Sequence, residues 1–280
     1  MAQRTRSGIV MMMLVAAVFA GWTLSDTASA ETVLKVGGTG SPLGSMQQLA
    51  EAFEHEHSGI TIKILPSLGS TAGIKGVLNG GLDLALASRP LKESERLAGA
   101  VQTEYAKSPL VFVTNPMVDK KDVTTGELEA IYGGRTSSWS DGSRIRLVLR
   151  PEKDTDTKLL SGISPAMEQA MKALLARPGM IIAITDQEST AAVAKTPGAL
   201  GCATLTEILS HNLPLNVLSF NGVQPSAKAL ADHSYSLAKS LYLVTTPHTP
   251  PAARQFADFI FSPAGREILT RTENLVPEPK

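Results

Sequence analysis

The sequence predicts an α/β protein built on mixed, mostly parallel sheets flanked by helices. Short apolar runs alternate with stretches that repeat apolar residues at helical spacing, from residue 31 to the C-terminus. Twice near the start, a turn rich in Gly, Ser and Thr joins a strand to the helix after it. No repeat of fixed period, low-complexity tract or separate linker interrupts this pattern.

The elements follow in order. Val33 to Val36 reads as a strand, Gly37-Gly38-Thr39-Gly40-Ser41 as a turn, and Met46, Leu49, Ala50 and Phe53 as the buried stripe of a helix. Ile60 to Leu65 is a second strand. Leu68-Gly69-Ser70-Thr71 opens a helix that buries Ile74, Val77 and Leu78, and Leu82 to Ala87 is a third strand. Pro109 to Thr114 is a further apolar strand. Thr124 and Glu127 have capping-box spacing ahead of Leu128, Ile131 and Tyr132. Ile145 to Leu149 is a strand. Ser164-Pro165 starts a helix that runs through Leu175, with Ser as cap and Pro in the first turn. Met180 to Ile184, Ala199 to Ala203, Leu215 to Ser219 and Leu241 to Thr245 are strand candidates. Helices from Ala252 to Phe261 and from Ser262-Pro263 onward precede a charged tail, Glu273 to Lys280, which reads as solvated.

The N-terminus reads as an export signal. Arg4 and Arg6 precede an apolar run from Ile9 to Ala20, and Ala28-Ser29-Ala30 offers the small-x-small pattern for cleavage after Ala30. The run is short beside the roughly 20 residues of a membrane-spanning helix. No Cys follows it, so no lipid anchor is expected. Without Arg4, Arg6 and Asp26, the remaining chain has 24 basic and 25 acidic residues. That balance offers nothing to nucleic acid or to an anionic membrane, so an anionic ligand has to be held by local geometry. Cys202 is the single cysteine and lies in an apolar run, as a small core residue would.

In open α/β sheets, ligands bind beyond the carboxyl ends of strands, where helices begin. Thr39, Gly40 and Ser41 occupy one such loop, and Gly69, Ser70 and Thr71 another. Glycine admits close backbone approach, while hydroxyls and free helix amides donate to an anion. Each Ser could equally be an ordinary helix cap, but two such loops in one domain favour an anion site. Arg150, at the end of the strand from Ile145, can fork onto two anion oxygens or pair with Glu152 or Asp154. Arg89 is a weaker candidate, readable as an ion pair at a lobe edge. No nucleophile elbow and no zinc-binding helix motif is present, and His55-Glu56-His57 places its two histidines on different helix faces. Neither catalysis, a metal nor a cofactor is expected.

The stretch from Val36 to Leu91 resembles the phosphate-binding proteins of bacterial phosphate-specific ABC transporters. The resemblance rests on Gly38-Thr39-Gly40-Ser41, Leu49-Ala50-Glu51-Ala52-Phe53, Gly69-Ser70-Thr71-Ala72-Gly73-Ile74 and Asp83 to Leu91. It continues in Leu128 to Gly134 with Trp139-Ser140-Asp141, in Thr196 to Gly201, and in Phe256 to Leu269. It implies a two-lobed, type II-like periplasmic-binding-protein fold with the ligand between the lobes. Residues 1–30 would be the signal peptide, 31–115 and 225–280 one lobe, and 116–224 the other. Carried over by position, Ser41, Ser70 and Ser88 contribute from the first lobe, and Arg150 with the loop after it from the second.

The loop departs from the family pattern. A Ser-Gly-Thr element often follows the Arg; here Asp154-Thr155-Asp156-Thr157 stands in its place, and Ser88 stands where some members have an Asp. Three readings stay open: Asp154 or Asp156 accepts the proton of a protonated phosphate, both cap the helix that follows, or the ligand is another oxyanion. The resemblance implies a monomeric periplasmic receptor for a small oxyanion, phosphate first, delivering it to an ABC permease in the inner membrane. A sensor or surface module uncoupled from transport, and a secreted phosphoester hydrolase, are the rival readings.

Overall fold

Residues 31–278 are described in a computed structural model of the chain. The basic and apolar N-terminal segment and its cleavage motif lie outside the described residues. β1 (Thr32–Gly38) turns Leu34 and Val36 inward and leaves Val33 and Lys35 exposed, the alternation of a half-buried strand. α1 (Leu43–Glu56) covers it with Met46, Leu49, Ala50 and Phe53. β2 (Ile60–Ile64) and β3 (Leu84–Ala87) flank β1 in parallel, with α2 (Gly69–Leu78) between them in sequence. All four residues of β3 are buried, because the sheet is covered on both faces.

After α3 (Glu93–Leu97) comes β4 (Val101–Thr114), twice the length of β1. Then follow β5 (Asp122–Val123), α4 (Thr125–Tyr132), β6 (Arg146–Leu149), α5 (Thr155–Ser161), α6 (Pro165–Leu175) and β7 (Ile181–Ile182). α7 (Asp186–Lys195), β8 (Ala199–Thr204), α8 (Leu205–Ser210), β9 (Asn216–Val217), β10 (Ser219–Phe220) and α9 (Ala227–Ala231) complete the second half. The chain returns through β11 (Ala238–Thr245), α10 (Pro251–Phe261) and α11 (Pro263–Arg271). The caps read from sequence are present. Thr124 and Glu127 exchange hydrogen bonds, and the Ser164 hydroxyl accepts from the Met167 amide ahead of Pro165.

The main sheet has the order β2-β1-β3-β11-β4-β8-β6-β7, with β9 also on β4; β10 and β5 form a separate pair. It is mixed: β11 runs antiparallel to β3 and β4, and β4 antiparallel to β8. β4 belongs to two cores. Tyr105 and Ala106 pack with Phe53, Phe256 and Phe259, whereas Leu110 to Val113 pack with Leu128, Met167 and Leu200. The chain makes the same crossing at β11, with Leu237 just before it in the second core and Leu241 and Leu243 in the first. A third cluster, around Ile74, Val77 and Val244, fills the other face of the first sheet.

Several expectations change. β4 begins eight residues before the predicted start at Pro109. Its first half mixes Gln102, Glu104 and Lys107 with apolar residues and lacks a clear period. The strand predicted from Leu215 to Ser219 is two short strands, β9 and β10. The tail after Glu273 is not simply solvated: Asn274 is buried, and Leu275 bridges Lys107 of β4. Cys202 is buried and has no disulfide partner, and burial raises its thiol pKa well above the ordinary value.

Candidate ligand site

The site begins at the carboxyl ends of β1, β3 and β6. Gly38 closes β1 with φ 147°, and a Cβ there would lie 1.9 Å from the Leu86 carbonyl oxygen. Only glycine fits. The Thr39 amide then donates to that carbonyl at 2.9 Å, fixing the loop against β3. Gly73 brings α2 equally close, since a Cβ there would meet the Gly38 Cα at 2.6 Å. Two glycines thus draw the first turn of α2 up to the loop after β1.

Three hydroxyls converge on Ser88, the residue after β3. Its Oγ lies 3.3 Å from the Thr39 hydroxyl, 3.3 Å from the Ser70 hydroxyl and 3.4 Å from the Thr155 hydroxyl. Its amide donates to Ser70 Oγ at 3.0 Å. Thr39, Ser70 and Ser88 come from the first half of the fold, and Thr155 from the start of α5 in the second. Around them is a cleft of about 440 Å³, also lined by Gly69, Thr71, Arg89, Arg150, Asp154 and Asp186. Arg89 forms an ion pair with Glu95 at 2.7 Å and donates to the Thr71 hydroxyl.

Arg150 reaches the cleft from behind and is only 4% exposed. Its guanidinium donates to the Ala183 carbonyl and to Asp154, each at 3.0 Å, and lies 3.8 Å from Asp156 and 3.6 Å from Asp186. A second buried cation shares these carboxylates. Lys239 of β11 sits 2.6 Å from Asp156 and 3.0 Å from Asp186. The Ser41 hydroxyl donates to Asp186 at 2.7 Å, and Gln187 donates to the Gly40 carbonyl at 3.0 Å.

The proposed residues therefore separate into two layers. Thr39, Ser70, Thr71, Ser88, Arg150, Asp154 and Thr155 line the cleft. Gly40, Ser41 and Asp156 lie beneath it, against the ion cluster and α7. Asp154 caps α5 by accepting from the Asp156 amide at 2.9 Å while also pairing with Arg150.

The cluster holds three carboxylates against two cations, and its protonation reflects that imbalance. Burial, reinforced by Asp186 and Asp154 against the pull of Lys239, pushes Asp156 up to about 6. Burial also opposes ionisation of Asp186, but Lys239, Arg150 and the Ser41 hydroxyl overcome it and hold that carboxyl down at about 2. Glu207, next to this layer, lies well above its ordinary value, chiefly through burial and then through Asp186. Among the described residues, no His, Cys, Asp and Glu cluster could hold a metal ion.

Asp186 and Lys239 escaped the sequence reading, although each left a signal. Thr185 and Glu188 form a capping box around Asp186, placing it on the first turn of a helix after a strand. Lys239 is in phase with buried Leu241 and Leu243, so an alternating strand turns it into the core.

A family model described as the PBP superfamily domain matches residues 25–264. The chain belongs to the PBP superfamily. Two similar curated proteins are both named phosphate-binding protein PstS. One is from Borreliella burgdorferi, 25% identical over 72% of this chain and 75% of the relative. The other is from Bacillus subtilis, 24% identical over 90% and 84%. Among solved structures, a putative phosphate ABC transporter substrate-binding protein with bound phosphate from Clostridium perfringens superposes with TM-score 0.72. It is 21% identical and covers 88% of this chain and all of that one. A periplasmic molybdate-binding protein from Azotobacter vinelandii superposes with TM-score 0.62 at 17% identity, over the same shares. These likenesses are of fold.

Proposed function

We propose that the chain is the solute-binding protein of an ABC importer, working in the periplasm and closing its lobes on one phosphate. The observation that carries this reading is the convergence on Ser88 of hydroxyls from both lobes, beside a buried guanidinium. Hydroxyls donate to the oxygens of a tetrahedral anion without adding charge, and Arg150 offers its fork from below. The PstS names of the relatives support phosphate as the ligand. Delivery to a membrane permease makes or breaks no bond, in keeping with a family of binding proteins.

Asp154 is the most exposed carboxylate of the ion cluster, with a side chain 22% exposed against 2% for Asp156 and 4% for Asp186. We assign it as acceptor for the proton of a protonated phosphate, which favours that ion over sulfate. The change of core along β4 and β11 supports a hinge near Lys107–Pro109 and Leu237–Lys239, so closure bends two paired strands.

A thermal-shift panel of phosphate, sulfate and molybdate tests the reading. Saturating phosphate raises the melting temperature, because a ligand at about 1,000 times its Kd adds roughly 4 kcal/mol; sulfate has little effect. A protein whose melting responds to none of the three is not an oxyanion receptor.

A further inference from the structure

A second concave site lies at the other end of β6. Its volume is about 490 Å³, against 440 Å³ for the cleft between the lobes. Arg146 begins β6 and Arg150 follows its end, so the two sites are about 13 Å apart along the strand. Buried Ile131, Leu147 and Leu174 form its floor. Met180 and Ile181 stand at its side, and Ile181 is 36% exposed on the edge strand β7.

Three exposed arginines line the same space: Arg144, Arg146 and Arg177. No carboxylate lines it. Among the described residues none of the three is in an ion pair, a state they share with Arg135, Arg254 and Arg266, but only these three gather around one concave space. Arg146 donates to the Pro197 carbonyl at 2.7 Å, which anchors its head at the rim. Three uncompensated guanidiniums over an apolar floor call for an anion with an apolar body. A bare inorganic ion would leave the floor wet, and a neutral hydrocarbon would leave the arginines unused. Guanidinium suits the task, since it is weakly hydrated and forks onto carboxylate, sulfonate or phosphate. The volume lies within the roughly 300–1,000 Å³ usual for small-molecule sites.

We propose that this pocket on the outer side of the second lobe binds an amphipathic organic anion, independently of the ligand between the lobes. The head group pairs with Arg144 and Arg177, and the hydrocarbon body covers Ile131, Leu147 and Leu174, its far end reaching Ile181.

The test is a fluorescence titration of the purified protein with 8-anilinonaphthalene-1-sulfonate, followed by competition with octanoate. One saturable site is expected, displaced by octanoate and unaffected by inorganic phosphate. R144Q/R177Q should weaken both probes by roughly tenfold or more, the scale of one lost charge-assisted hydrogen bond, with an unchanged melting temperature. If that variant does not fold, Ile181→Ser serves instead: it should weaken octanoate while leaving butyrate, too short to reach it, unaffected. Displacement of the fluorophore by phosphate would put it in the interlobe cleft and overturn the proposal. Binding indifferent to both substitutions would do the same. So would binding to anionic phosphatidylglycerol vesicles without binding to soluble octanoate, which would make the face a membrane contact.

Discussion

At the scale of single residues, the site depends on what holds Arg150 in place. Its guanidinium, Lys239 and three carboxylates form one buried network, and removing one charge leaves its partners uncompensated. Lys239→Met should therefore lower stability by about 3–5 kcal/mol, the usual penalty for breaking a buried pair. Denaturant unfolding checks this, and adding Asp156→Asn should recover part of the loss, because the two residues are directly coupled. Ser88→Ala removes the hydroxyl on which three others converge and should weaken phosphate binding by about 1–1.5 kcal/mol, roughly tenfold, with little change in melting. The sequence brings Thr39, Ser70 and Arg150 forward as candidates because each follows a strand, in a turn or helix start of the right chemistry, and all three line the cleft. Their division into a cleft layer and a buried layer was not. Ser41 reads like Ser70 in sequence, and only the approach of Asp186, 145 positions away, turns it inward.

At the scale of elements, the turns and caps decide where the site residues stand. Gly73 lets α2 lie against the loop after β1, and a methyl group there would meet backbone at 2.6 Å. Gly73→Ala should cost about 1–3 kcal/mol through overpacking and should also weaken phosphate binding, since Ser70 moves with the helix. Paired melting and binding measurements on this variant separate it from Ser164→Ala, a cap far from the cleft. That substitution should cost about 1 kcal/mol and leave binding alone. Strands with clear apolar runs and helices with strong caps were readable from local pattern. The first half of β4 and the short helices α3, α8 and α9 were not, because their stability comes from neighbours rather than from propensity. α7 is the instructive miss: its capping box was present, but without an apolar stripe strong enough to mark a helix.

At the scale of the whole molecule, the ion cluster ties stability to pH. Asp156 titrates near 6 when folded and near 3.8 when unfolded, so between these values the folded state keeps a proton that the unfolded state releases. Its contribution therefore falls as pH rises from 3.8 to 6. Asp186 does the opposite: its carboxyl, held at about 2, stabilises above 3.8 and loses that contribution as pH drops toward 2. The melting temperature of Asp156→Asn, compared with wild type, should lack the decline between pH 4 and 6. An identical slope would show that Asp156 is ordinary. Strands passing between two cores without a tether were readable from the absence of a linker, and β4 and β11 are the strands that do so. The proposed function has one phosphate held at Ser88 between the lobes. Calorimetric titration of phosphate into wild type and Ser88→Ala tests it most directly. It predicts one phosphate per chain, weakened roughly tenfold in the variant; equal affinity in both proteins, or no heat in wild type, would contradict it.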